Sequence, residues 1–194
     1  MKNILVLIFL LLANTATAAP PADYAAAFSS VDQMIPSGVW TKVTWDPSTF
    51  VNETDAVMDS NNTDFLFEYD PANGKNAAGL WVFHSSIAWG TDPGNAWPTH
   101  RRLIRFVQEV DLPPPYGTVP ISLATNAFIY NPNAAEILDF PQFQQIYLQP
   151  LFKAVQGEVY RTWVEVYQNS GYTIPLKRIG IEAPFISLLK VQEP

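Results

Sequence analysis

Seventeen prolines are spread along the chain from Pro20 to Pro194. Proline has no amide hydrogen and its ring clashes with the preceding helical turn, so it stops helices and confines strands to short runs. Between these breaks the apolar residues recur at period two. Gly79 to Trp89 is the fullest example, with Trp81, Phe83 and Ile87 on one face and Leu80, Val82 and Ala88 on the other. Asp64 to Tyr69 alternates Phe65, Phe67 and Tyr69 against Asp64, Leu66 and Glu68. Similar runs are Val39 to Trp45, Arg102 to Val110, Val119 to Phe128, Gln142 to Leu151, Glu158 to Tyr167 and Pro184 to Val191. Many short alternating runs separated by turn residues predict an all-β sandwich or barrel. Helix is expected only at Ala22 to Asp32 and Asn133 to Asp139.

Residues 1–18 read as a secretory signal. Lys2 supplies the positive end, Ile4 to Leu12 the apolar run, and Ala16-Thr17-Ala18 the small-residue cleavage site. The apolar run is too short to span a bilayer, which takes about 20 residues. Residues 19–35 are expected to form an N-terminal arm with a candidate short helix, and residues 36–192 a single domain. Removing the signal takes one lysine and no acid, so the net charge moves from −7 to −8. An acidic chain without basic clusters is a poor partner for nucleic acid or an anionic membrane surface. The absence of cysteine excludes thiol catalysis, zinc–thiolate sites and disulfide staples.

Four segments carry a resemblance. Ile35 to Trp45 reads IPSGVWTKVTW, and Gly79 to Trp89 reads GLWVFHSSIAW, followed by RRLIRF. Later come VQGEVYRTWVEVYQNSGYTIPL and APFISLLKV. In order and spacing they resemble the globular head of complement component 1q, in the tumour necrosis factor-like superfamily. They are most similar to its short bacterial, viral and phage versions. The resemblance covers most of Ile35 to Val191, and no collagen-like stalk precedes it. It implies a ten-stranded jelly-roll β-sandwich and a homotrimer packed around apolar strands.

Chemistry-bearing residues are sparse. His84 lies opposite Trp81 and Phe83 in the alternation and reads as a structural or interface histidine, with no nucleophile elbow around Ser85 and Ser86. His100, beside Arg101, reads as loop or strand-edge surface. Asp59, Asn61 and Asp64 offer oxygen ligands for a weak calcium site, although the EF-hand order is missing; no other metal or cofactor is indicated. Asn52 and Asn61 begin N-x-Thr triplets and are glycosylation candidates. Trp97, Tyr116 and Tyr172 sit in turn-like segments and are the candidate ligand contacts.

No catalytic constellation stands out, so an enzyme is not expected. The expected function is a secreted, non-catalytic recognition module, homotrimeric, binding a protein or carbohydrate through its end loops. The alternative is a structural assembly protein of a virion surface, fibre tip or extracellular filament.

Overall fold

The computed structural model describes residues 24–49, 51–52, 56–90, 99–112, 115, 117–130, 142–152, 157–177 and 184–192. In chain order the strands are β1 (Tyr24–Phe28), β2 (Gln33–Ile35), β3 (Thr41–Lys42), β4 (Val51–Asn52), β5 (Ala56–Met58), β6 (Asp64–Asp70), β7 (Lys75–Asn76) and β8 (Gly79–Trp89). They continue with β9 (His100–Leu112), β10 (Gly117–Tyr130), β11 (Gln142–Leu148), β12 (Leu151–Phe152), β13 (Glu158–Gln168), β14 (Ile174–Leu176) and β15 (Phe185–Gln192). Among the described residues the only helical pieces are single 3-10 turns at Pro47–Thr49 and Pro71–Asn73, and no helix is long and apolar enough to cross a membrane.

All pairings are antiparallel, and they form two sheets. In the first, β8 pairs with β15, β15 with β1 and β1 with β4; β11, β12 and β14 also pair with β8, and β2 pairs with β14. The second sheet runs β10–β9–β13–β6–β5, with β3 added to β13 and β7 to β6. Sequence neighbours β8 and β9 lie in different sheets, so the chain crosses the sandwich between them.

The period-two pattern explains which sides meet. Trp81, Phe83 and Ile87 of β8 are buried against Phe65 and Phe67 of β6, Phe106 of β9 and Val164 and Val166 of β13. Phe67 sits at the centre of the aromatic cluster: its ring lies 5.0 Å from Trp81, 5.4 Å from Phe83 and 4.8 Å from Phe152. Such offset and edge-on contacts add to the burial energy of each ring. The run expected at Gly79 to Trp89 and the observed β8 coincide.

Four sequence expectations are corrected. Ala22 to Asp32 is not a helix: Tyr24–Phe28 is β1, in register with β15 from Tyr24↔Leu189 to Phe28↔Phe185. Alanine's helix preference amounts to less than about 1 kcal/mol per residue. Here Ala25 and Ala27 fill the core where the first sheet closes on the second, and that burial decides. The sandwich therefore begins before residue 36, since β1 and β2 belong to its first sheet. Val39 to Trp45 enters the ladder only at Thr41–Lys42, although Val43 N–H still reaches Val164 O at 2.9 Å. The run from Gln142 to Leu151 is interrupted after Leu148, at Gln149-Pro150, where proline cannot donate to a ladder. The candidate helix at Asn133 to Asp139 lies outside the described residues.

Phe67→Ala removes the ring on which Trp81, Phe83 and Phe152 all rest. It is expected to destabilise the chain by about 3–5 kcal/mol in urea unfolding; a loss below about 1 kcal/mol would mean that the sheets are held together elsewhere.

Candidate functional site

The outer faces of the two sheets differ in chemistry. On the first sheet, alternation turns Leu80, Val82, His84 and Ser86 of β8 away from the core. The register lines them up with their neighbours in rows. Tyr24, Leu189 and Val82 form one row; Ala26, Ser187, His84 and Tyr147 the next; Phe28, Phe185, Ser86 and Gln145 a third. Leu151 of β12 stands beside Leu80. None of these outward residues on β1, β8, β11, β12 and β15 is charged. Yet Tyr147 and Leu151 remain 60% and 64% exposed.

His84 lies in the middle of this face. Its ring is stacked on Tyr147 at 4.2 Å with 1° between the planes, and Phe185 stands edge-on at 4.9 Å. Its Nε2 is buried and has no hydrogen-bond partner. Burial holds the imidazole pKa below its ordinary value of 6.5, because the charged form loses water.

The outer face of the second sheet carries ion pairs and aromatic rings, with Val159 and Ile129 exposed beside them. Arg105 lies over the Trp40 ring at 3.8 Å and pairs with Glu165 at 2.6 Å, and Trp40 packs on Tyr167 at 5.3 Å. Trp163 Nε1 donates to Glu165 Oε1 at 2.8 Å, and Lys42 Nζ sits 3.9 Å above the Trp163 ring. Lys42 also pairs with Asp64 at 2.7 Å; Arg161 bridges Asp64 at 3.3 Å and Glu109 at 3.2 Å. Cations and rings thus alternate on this face, with Lys42, Arg105 and Arg161 each paired to a carboxylate. The Asp64 carboxylate is buried beneath Lys42 and Arg161, whereas the Arg161–Glu109 pair is exposed and contributes little stability.

One end of the sandwich is rigid by construction. The buried Gln168 donates from Nε2 to Ile35 O at 3.0 Å and Tyr172 O at 2.6 Å, while its Oε1 accepts from Ser170 N–H at 2.7 Å. Gly171 N–H reaches Ser37 Oγ at 2.8 Å, and Gly38 N–H reaches Gln168 O at 2.7 Å. Gly171 takes a φ of +86°, which only glycine adopts without strain. The loop from Asn169 to Thr173 is therefore pinned to the Ser37–Gly38 turn, and it presents Tyr172, 56% exposed. Of the three aromatics expected to contact a ligand, Tyr172 is placed in this way; Trp97 and Tyr116 lie outside the described residues.

The other expected site residues are placed as follows. Asp59 Oδ1 accepts the N–H groups of Thr63 at 2.9 Å and Asp64 at 3.0 Å. Desolvation raises its pKa, but backbone donors from Asp64, Thr63 and Asn61 together outweigh that and hold it below the usual carboxylate value. The carboxylate of Asp64 is taken by Lys42 and Arg161, so the three oxygen-bearing residues Asp59, Asn61 and Asp64 do not converge on a common point through free carboxylates. Among the described residues no group of three or more histidines or acids is arranged to hold a metal ion, and the chain has no cysteine. Asn61 is exposed on this loop; Asn52 lies in β4.

His100 corrects its expectation of surface. It is buried, and its Nε2 accepts from Arg102 Nε at 2.9 Å. Arg102 itself is fully buried, its guanidinium 5.4 Å from the Trp89 ring. Sequence reasoning did not find Gln144, Gln168 or Tyr147. Only Tyr147 carried a signal, since it falls two residues after Gln145 on the face opposite Ile146.

No family model matches the chain, and no curated protein does. Among solved structures, the tumour necrosis factor Eiger from S. frugiperda superposes with a TM-score of 0.54 at 14% sequence identity, over 90% of this chain and 96% of that one. That likeness shows the fold: a sheet-rich sandwich of the tumour necrosis factor-like jelly-roll type.

Because the folded pKa of Asp59 lies below its unfolded value, its contribution to stability is full above about pH 3.8 and is lost as the pH falls through the folded value. Asp59→Ala is expected to cost about 1 kcal/mol at pH 7, with the gap to the native chain closing in acid. A gap that stays constant down to pH 2 in paired unfolding curves would contradict this account of the loop.

Proposed function

We propose that this chain is a secreted, non-catalytic recognition module that acts as a homotrimer and binds a protein or carbohydrate ligand through its end loops. The single observation that carries this reading is the contrast between the two outer faces. One bears no charged side chain among its described residues over five strands, with Tyr147 and Leu151 exposed. The other carries the ion pairs of Lys42, Arg105 and Arg161 beside the exposed Val159 and Ile129. Soluble monomers seldom leave a continuous apolar face open, and closed symmetric association is the usual way to cover one. The jelly-roll fold supports the same reading. The two antiparallel sheets packed face to face support a ten-stranded jelly roll as the underlying plan. The finer likeness to complement component 1q heads rests on the four sequence segments around β3, β8, β13 and β15.

Once the apolar face is occupied, loops at the ends of the sandwich remain for a ligand. Tyr172 is held ready there by Gln168 and Ser170, so binding would order little that is not ordered already. Export follows from the signal-like residues 1–18, and glycosylation at Asn52 or Asn61 would follow where the export route supplies it.

The test is the mass of the chain in solution. A discrete species of three chains is expected, and Leu151→Asp should reduce it to one chain with an unchanged far-UV spectrum, because Leu151 is already exposed in the single chain and an unpaired charge under a contact costs several kcal/mol. A wild-type monomer would refute the reading, and open-ended polymers would favour the structural alternative. For the loops, Tyr172→Ala should weaken binding on a glycan or host-surface array about tenfold or more without altering that mass.

A further inference from the structure

The apolar face contains one group whose charge changes near neutral pH, and it is placed at the centre. His84 is flanked by Val82 and Ser86 on its own strand, Tyr147 and Gln145 on β11, and Phe185 and Ser187 on β15. Tyr24 and Phe28 lie beyond, on β1. Among the described residues the titratable groups facing it are tyrosines, Tyr147 and Tyr24. Among the described residues of β1, β8, β11, β12 and β15 no carboxylate or ammonium shares the face, since Lys190 of β15 points inward and donates to Asn76 O at 3.1 Å. Elsewhere, Lys42 is paired with Asp64 and Arg105 with Glu165.

We infer that His84 is a proton-operated release for the contact between copies of this chain: neutral, it stacks on Tyr147 and passes under the neighbouring copy; protonated, it forces the copies apart. This rests on the assembly proposed above. In the neutral state the parallel stack and the bare Nε2 form a dry, uncharged centre, at the cost of one unmade hydrogen bond. Adding a proton places a cation where the second copy has removed water and no acid answers it. The Tyr147 ring offers the cation some attraction, but a ring does not replace the lost hydration of a buried ion.

The direction of the pH dependence follows. Burial already pulls the pKa of His84 below 6.5 in the single chain, and covering the face lowers it further. The free chains then bind protons more readily than the assembled ones. Assembly is full above the free-chain pKa and weakens as the pH falls below it. The association constant drops by up to about tenfold per pH unit for each imidazole covered, or about a thousandfold per unit for three.

The experiment measures the mass of the full chain by sedimentation from pH 8 to pH 5, alongside His84→Phe and His84→Gln, with near-UV circular dichroism to follow the fold. His84→Phe keeps a ring on Tyr147 without a titrating nitrogen, and His84→Gln guards against a failure of that variant to fold. The expected result is a trimer at pH 8 that becomes monomer toward pH 5 with its near-UV spectrum intact, while the variants stay trimeric throughout. A wild-type trimer that persists at pH 5 overturns the switch but leaves the assembly standing. So does acid dissociation that the variants share, or that accompanies loss of the near-UV signal. A wild-type monomer at pH 8 overturns the assembly and the switch together.

Discussion

The contact of Phe67 with Trp81, Phe83 and Phe152 is the constraint on which the remaining structure depends. It joins β6 of one sheet to β8 and β12 of the other. With the cluster in place, the strand period leaves no freedom in what points outward. His84 cannot turn inward without moving Trp81 and Phe83 out, because a one-residue slip reverses every side chain of a strand. The apolar face around His84 and the charged face around Trp163 are therefore consequences of core packing, and the two differ because their outward residues differ. The same core that stabilises the chain fixes where it is free to interact.

Each face handles its aromatic rings in its own way. On the charged side Trp163 is roofed by Lys42 and Trp40 by Arg105, so large rings are covered by long polar side chains. On the uncharged side Tyr147 is 60% exposed, with one ring face stacked on His84. A tyrosine in that state combines a large apolar area with little rotamer entropy to lose, which is why such residues anchor contacts between proteins.

The long two-sided strands were legible in the sequence because their signal is redundant. In Gly79 to Trp89 every second residue repeats the same statement, and the observed bounds agree with it. Tyr24 to Phe28 was not legible. Three consecutive alanines carry no alternation and favour helix locally, and the extended form is selected by partner strands, chiefly β15 more than 150 residues later, with β4 on the other edge. The site residues divide along the same line. His84 was placed correctly by its neighbours' periodicity, whereas His100 was misjudged because its burial depends on Arg102 and on strands distant in sequence. Gln144 and Gln168 carried no local signal at all. A buried glutamine is recognised only by the carbonyls and N–H groups that fold around it.

Those two amides set a mechanical property of the sandwich. Gln144 accepts from Trp89 Nε1 at 3.0 Å within its own sheet and donates across to Asn126 O at 2.8 Å, and Asn126 Nδ2 returns to Gln145 O at 2.6 Å. Gln168, the cross-strand neighbour of Arg102, reaches from the second sheet to Ile35 O of the first. Greasy surfaces alone can glide over one another at small cost, whereas directional bonds cannot. Near Trp89 and Arg102 these amides stitch the layers against sliding; near Phe67 the same is done by Trp81 Nε1, which donates to Ala77 O at 2.9 Å, and by Lys190 Nζ, which donates to Asn76 O at 3.1 Å. Tyr172 hangs from the end that the glutamines hold, so its platform is a stiff one.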